Sequence, residues 1–138
     1  WKPEDLVVNM HICRGNFRST WFSSGGYEPV AKTLFGHCRV DGFFLEYDSD
    51  RAGDFTPLRY IKDQKVVLGL ITSKSGDLED KGEVISRIKE ASQYVPLEQL
   101  CLSPQCGFSS TEEGNILTIE AQWDKLKLID EIVHEVWG

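Results

Sequence analysis

The sequence predicts an α/β fold built on a parallel sheet, and three observations carry that expectation. Apolar, β-rich segments alternate with helical ones four times along the chain. The third apolar segment, Lys65 to Thr72, is apolar almost without interruption (Val66, Val67, Leu68, Leu70, Ile71), which suits a strand buried on both faces. The chain has 138 residues. That is room for about four βα units with right-handed crossovers, half the number in an eight-unit barrel of roughly 250 residues.

Each element has its own signal. Leu6 to Cys13 is apolar and reads as the first strand. Arg14 to Gly26, rich in Gly, Ser and Asn, reads as a loop. Glu28 to Phe35 reads as a short helix ended by Gly36. Val40 to Tyr47 is the second strand, and its Phe43-Phe44-Leu45 is too apolar for a solvated sheet face. A polar loop, Asp48 to Asp54, follows. Thr56 to Ile61 reads as a short helix with Pro57 in its first turn. After the Lys65–Thr72 strand and a turn at Ser73 to Asp77, Val84, Ile85, Ile88, Ala91 and Val95 fall at helical spacing, which predicts a helix over Lys81 to Tyr94 stopped by Pro96. Leu97 to Leu102 is the fourth strand. Thr118 to Trp137 is the last helix, with Ile119, Trp123, Leu126, Ile129, Val133 and Val136 near one face. No linker or internal repeat divides residues 1–138, so they read as a single partial domain.

Composition excludes several functions. Hydrophobic residues make up 41% and charged residues 27%, a globular balance. The net charge is −7 and the 15 Lys and Arg are scattered. Neither suits nucleic-acid binding, which calls for a basic patch. No apolar run reaches the roughly 20 residues that span a bilayer. The opening Trp1-Lys2-Pro3-Glu4-Asp5 shows no signal pattern and reads like the middle of a longer chain. With no secretory signal, the four cysteines are expected as thiols or metal ligands in a cytoplasmic protein.

In a parallel α/β fold, functional residues gather at the carboxyl ends of strands. His11 and Cys13 end the first strand, two apart, so both point to one side. Glu46 ends the second strand, and Cys106 follows the fourth. One imidazole, two thiolates and a carboxylate make a zinc set, and the carboxylate is the weakest of these ligands for zinc. The spacing also fits a plainer reading, with His11 capping a strand and the two cysteines packed as small hydrophobes. Cys38 and Cys101 read as packing residues. Asp48, Asp50, Arg51 and Asp54 read as a solvated run, with substrate contact as the rarer alternative. Arg14, Asn16 and Arg18 are candidates for supporting contacts. Ser73 and Ser109 are given no role, and His37 and His134 read as surface residues.

Three ordered segments resemble the catalytic barrel of the cobalamin-independent methionine synthase family. They are His11-Ile12-Cys13-Arg14-Gly15-Asn16, Gly42-Phe43-Phe44-Leu45-Glu46-Tyr47-Asp48 and Ser103-Pro104-Gln105-Cys106-Gly107-Phe108, with Leu68-Gly69-Leu70-Ile71-Thr72-Ser73-Lys74 between them. The chain looks most like the short 5-methyltetrahydropteroyltriglutamate–homocysteine methyltransferase-like paralogues. The resemblance implies the C-terminal half of a TIM (β/α)8 barrel. It implies zinc (Zn2+) as cofactor, held by His11, Cys13, Glu46 and Cys106. It also implies homocysteine and methyl-folate as substrates, with homocysteine activated as a thiolate that takes the methyl group of 5-methyltetrahydrofolate to give methionine. The family places a His-Ser-Pro after the third of these strands, and that His is its proposed proton donor. Here Lys74-Ser75-Gly76 stands there, so Lys74 is carried as the catalytic candidate, either orienting or protonating substrate or gripping an anionic tail. Much of the family's substrate pocket lies on upstream strands. A related zinc thiol alkyltransferase with another donor or acceptor is the alternative, as is a zinc-binding piece inactive by itself. A half-barrel leaves two open sheet edges, so a homo-oligomer is also expected.

Overall fold

Four strands lie side by side in chain order, each parallel to the next: β1 (Asn9–Ile12), β2 (Gly42–Glu46), β3 (Lys65–Ile71) and β4 (Leu100–Pro104). The structure is a computed structural model that describes residues 2–109 and 111–138. Trp1, part of the segment read as mid-chain, lies outside the described residues. Helices α1 (Glu28–His37), α2 (Lys81–Ala91) and α3 (Ile119–Trp137) follow β1, β3 and β4. The second crossover holds two 3-10 turns, Asp50–Ala52 and Thr56–Tyr60, with Pro57 at the start of the latter as expected. The α/β class and the four parallel units therefore stand, and the sheet is consistent with part of a TIM barrel.

Several boundaries move, each for a local reason. Helix α1 runs through Gly36 to His37, and Cys38, in extended conformation, ends it while its N–H bonds the Leu34 carbonyl. Helix α2 stops at Ala91, and the next residues unwind through turns that close Gln93 onto Glu90 and Tyr94 onto Ala91 before Pro96. Leu97–Gln99 forms a 3-10 turn, so β4 starts at Leu100 and runs to Pro104.

Helix α3 is the larger correction. Its buried residues are Lys125, Leu128 and Ile132, whereas Ile119 and Trp123 are 71% and 58% exposed. The stripe read from apolar residues alone is rotated from the buried one. The reason is Lys125: its ammonium donates to the Asp77 carbonyl at 2.6 Å and to both Glu79 oxygens at 3.1 Å, so a charged residue takes the core-facing position.

The core lies between the sheet and the helices. Tyr27, Phe35, Phe43, Tyr47 and Phe55 form a chain of tilted and edge-on rings, with centroids 4.6–5.9 Å apart. Offset or edge-on geometry is what ring quadrupoles prefer. On β2, Phe43 and Leu45 face this core. Phe44 alternates onto the opposite face and is 38% exposed. That opposite face carries the site.

Candidate metal centre

The sheet register brings the candidate ligands together. His11 pairs with Phe44 and Ile12 with Leu45, so the end of β1 is level with Glu46. Glu46 in turn pairs with Gly69, and Gly69 with Ser103. A Cβ added to Gly69 would lie 2.7 Å from the Leu45 carbonyl oxygen and 2.8 Å from the Gln105 Cα. Only a glycine lets the three backbones crowd at this level. The β3–β4 register shifts between Gly69 and Ile71, and the Gln105 N–H then bonds the Ile71 carbonyl at 2.7 Å. Such irregularities re-aim side chains at strand ends. Here the shift precedes Gln105 and Cys106.

His11, Cys13, Glu46 and Cys106 each offer one ligand atom, and these atoms all lie within 4.8 Å of one another. A tetrahedral zinc with Zn–N near 2.0–2.1 Å and Zn–S near 2.3 Å sets its ligands about 3.3–3.8 Å apart. Small side-chain adjustments bring the four donors to that spacing, so the set fits the ion by chemistry and by proximity. Glu46 Oε1 is 3.7 Å from His11 Nε2. A hydrogen bond with Cys106, joined by the charges of Cys106 and Glu46, holds the His11 ring above its usual pKa, while burial pulls the other way. Burial pushes the Cys13 thiol up; the Gly15 N–H, donating to its sulfur at 3.2 Å, opposes this.

Glu46 is fully buried, and its side chain meets Arg51 Nη2 at 3.4 Å and Gln105 Nε2 at 3.5 Å, both long, as well as His11 and the Cys13 thiol. Its backbone, by contrast, is held firmly. The Tyr27 hydroxyl accepts from the Glu46 N–H at 2.8 Å, and Arg14 Nη1 donates to the Glu46 carbonyl at 2.9 Å and to the Tyr27 hydroxyl at 2.8 Å. Arg14 also lies over the Tyr27 ring, 4.1 Å from its centre. A buried carboxylate on a fixed backbone, whose head makes only a long ion pair with Arg51, suits a metal ligand, since a buried charge is costly unless well compensated.

The remaining candidates divide. Arg14 and Asn16 are buried and supporting, as expected: Asn16 donates to Ser73 Oγ and to the Gly107 carbonyl. Arg18 is exposed, in a tight turn where it and Ser19 adopt positive φ. Asp50 and Asp54 are exposed, but Asp48 and Arg51 are not the solvated pair that was expected. Their side chains are 4% and 8% exposed and they pair at 3.0 Å. Lys74 joins them, 11% exposed and 3.6 Å from Asp48. His37 and His134 are exposed, and Cys38 and Cys101 are partly buried.

Sequence reasoning missed three residues here. Ser73 is fully buried and donates to Gln105 Oε1 at 2.9 Å, which orients the Gln105 amide toward Glu46. Gln105 is likewise buried, and Tyr27 anchors Glu46. No pattern flagged Tyr27; Ser73 and Gln105 were signalled only by their places inside the Leu68–Lys74 and Ser103–Phe108 segments. An open hollow of about 290 Å³ beside the cluster is lined by His11, Phe44, Ser103, Pro104, Cys106 and Gly107, among others.

No family model matches the chain. It is similar to the uncharacterised Bacillus subtilis protein YxjH, 59% identical over 138 residues, 99% of this chain and 37% of that protein. It is more distantly similar to the methionine synthase of Pyrococcus horikoshii, 24% identical over 102 residues, 74% of this chain and 27% of that protein. Among solved structures it resembles a Listeria monocytogenes protein described as a candidate vitamin-B12-independent methionine synthase. That match has 50% identity and a TM-score of 0.75, and covers 99% of this chain and 37% of that one. The chain thus spans little more than a third of the length of YxjH and of the Listeria protein. Among the described residues no helix is long and apolar enough to cross a membrane.

Proposed function

We propose that the chain carries the zinc centre of a methionine-synthase-like methyltransferase, which moves a methyl group from 5-methyltetrahydrofolate to homocysteine. The observation that carries the reading is the meeting of His11, Cys13, Glu46 and Cys106, from three separate strand ends, within 4.8 Å. Similarity to the Listeria and Pyrococcus proteins supports the reaction class. Zinc bound there would supply Lewis-acid stabilisation of the acceptor sulfur as a thiolate at neutral pH. The chain's own residues do the rest. Arg14 and Tyr27 fix the backbone of Glu46, and Gln105, oriented by Ser73, steadies its carboxylate. Phe44 and Pro104 line the open hollow with apolar surface. Lys74, paired with Asp48, holds a positive charge where the family has its histidine.

That Lys74 favours a second reading, a related zinc thiol alkyltransferase with another donor or acceptor. The span of little more than a third of YxjH favours a third, a zinc-binding piece that needs the rest of a longer protein for activity. The open edges of β1 and β4 would be covered by pairing with a second copy when the chain is alone. The deciding assay follows methyl transfer to homocysteine from 5-methyltetrahydrofolate and from other methyl donors, using zinc-loaded protein. Methionine formed from methyl-folate is the expected result. Product only from another donor would replace it with the second reading, and no product from any donor with zinc retained would replace it with the third.

A further inference from the structure

We infer that Cys13 and Cys106 form a dithiol modification site, which a hydroperoxide oxidises reversibly to a disulfide. The inference goes beyond methyl transfer and needs no metal, because it stands on the meeting of two thiols. Neighbouring strands lie about 4.8 Å apart, so in a flat sheet three spacings would set β1 and β4 roughly 14 Å from each other. Yet Cys13, just past β1, and Cys106, just past β4, bring their sulfurs within 4.8 Å of each other and of a Glu46 carboxylate oxygen. Bond formation from there asks each sulfur to move by no more than about 1.4 Å, which side-chain rotation supplies. The Gly15 N–H donates to the Cys13 sulfur at 3.2 Å, and His11 is hydrogen-bonded to Cys106, so both sulfurs are held at the meeting point. Cys38 and Cys101 are not members of this cluster.

Access divides the roles. Cys13 is exposed, whereas Cys106 is partly buried in the wall of the open hollow. Cys13 is therefore the thiol that meets the oxidant, and Cys106 the one that resolves it. The Cys13 thiolate attacks one peroxide oxygen. An S–O bond forms, the O–O bond breaks, and the departing oxygen takes a proton and leaves as water or an alcohol. The Cys106 thiolate then attacks the sulfur of the resulting sulfenic acid. An S–S bond forms, the S–O bond breaks, and the hydroxyl takes a proton and leaves as water. Two electrons pass from the sulfurs to the peroxide. Disulfide and metal are exclusive fates of the pair, because a cysteine binds metal as its thiolate. Oxidation thus removes two of the four candidate ligands, and reduction by a dithiol restores them.

The test treats the reduced, metal-free chain with a slight excess of hydrogen peroxide and reads free thiols, intact mass and disulfide-linked peptides. Free thiols should fall from four to two, and the mass should drop by two hydrogens with no oxygen added. The linked peptides should hold Cys13 and Cys106, on a chain that stays monomeric in non-reducing electrophoresis, and dithiothreitol should reverse the change. In Cys106→Ser, Cys13 should stop at the sulfenic acid, trapped by dimedone, with no disulfide formed. Zinc-loaded chain should release its zinc as the disulfide forms. Thiols left intact, links through Cys38 or Cys101, or Cys13 carried on to sulfinic acid while Cys106 stays a thiol would each overturn the inference and leave the metal reading standing. A chain that forms the disulfide but never binds zinc would support the inference and overturn the metal reading alone.

Discussion

Lys74 shows how burial acts on one residue. Its ammonium sits among Asp48, Arg51 and Glu46, and burial lowers its pKa, with Asp48 opposing the shift. A lysine with a lowered folded pKa binds its proton less well folded than unfolded. The penalty is therefore full below the folded pKa and disappears as pH rises from there through the ordinary lysine value. Chemical denaturation across that alkaline window should show the parent protein gaining stability relative to Lys74→Met; parallel pH profiles would refute the burial account. At this scale the sequence was partly legible. Strand ends and ordered motifs single out His11, Cys13, Glu46 and Cys106, and their ligand atoms converge. Asp48 and Arg51 looked like ordinary loop charges, because nothing in Asp48-Ser49-Asp50-Arg51 says that two of its members turn inward while Asp50 stays exposed. Ser73 and Gln105 escaped because their importance lies in a mutual hydrogen bond across 32 positions.

At the scale of elements, α3 is the instructive case. Of the face its apolar residues predicted, Ile129 and Val136 do pack against the core, but Lys125 turns the most buried stripe away from Ile119 and Trp123. Lys125 is held by Glu79, and Glu79 Oε1 also accepts from the Thr72 N–H at 2.8 Å. The helix is thus tied to the turn that carries Lys74. Removing one partner of a buried pair costs about 3–5 kcal/mol; with Glu79 20% exposed on its side chain, Lys125→Met should cost about 3 kcal/mol in denaturant unfolding. A change under about 0.5 kcal/mol, the usual scale of surface substitutions, would show the tie to be unimportant. The strands were easier to read than this helix. Lys65–Ile71 announces itself by near-continuous apolarity, and its predicted and observed bounds differ by one residue. The β3–β4 register shift at Gly69 was invisible, since it arises from contact between Gly69 and Gln105 rather than from either segment.

For the whole molecule, the four parallel units were legible from alternation alone, because a parallel strand pair requires a crossover and the helical segments supply it. The open edges follow from the same topology. Among the described residues β1 pairs only with β2, and β4 only with β3. Leu6, Val7 and Val8, just ahead of β1, are 37–67% exposed. Sedimentation of the isolated chain should show concentration-dependent self-association; a monomer at high concentration would argue against it. The proposed methyl transfer depends on the four-residue metal centre, so zinc content is the deciding measurement. Purified parent protein should hold one zinc per chain. Cys106→Ser should lower its zinc affinity by at least about 100-fold, more than the roughly 10–100-fold expected for losing an outer partner. A parent protein without stoichiometric zinc, or a Cys106→Ser variant that binds it equally well, would rule out a metal centre at His11, Cys13, Glu46 and Cys106.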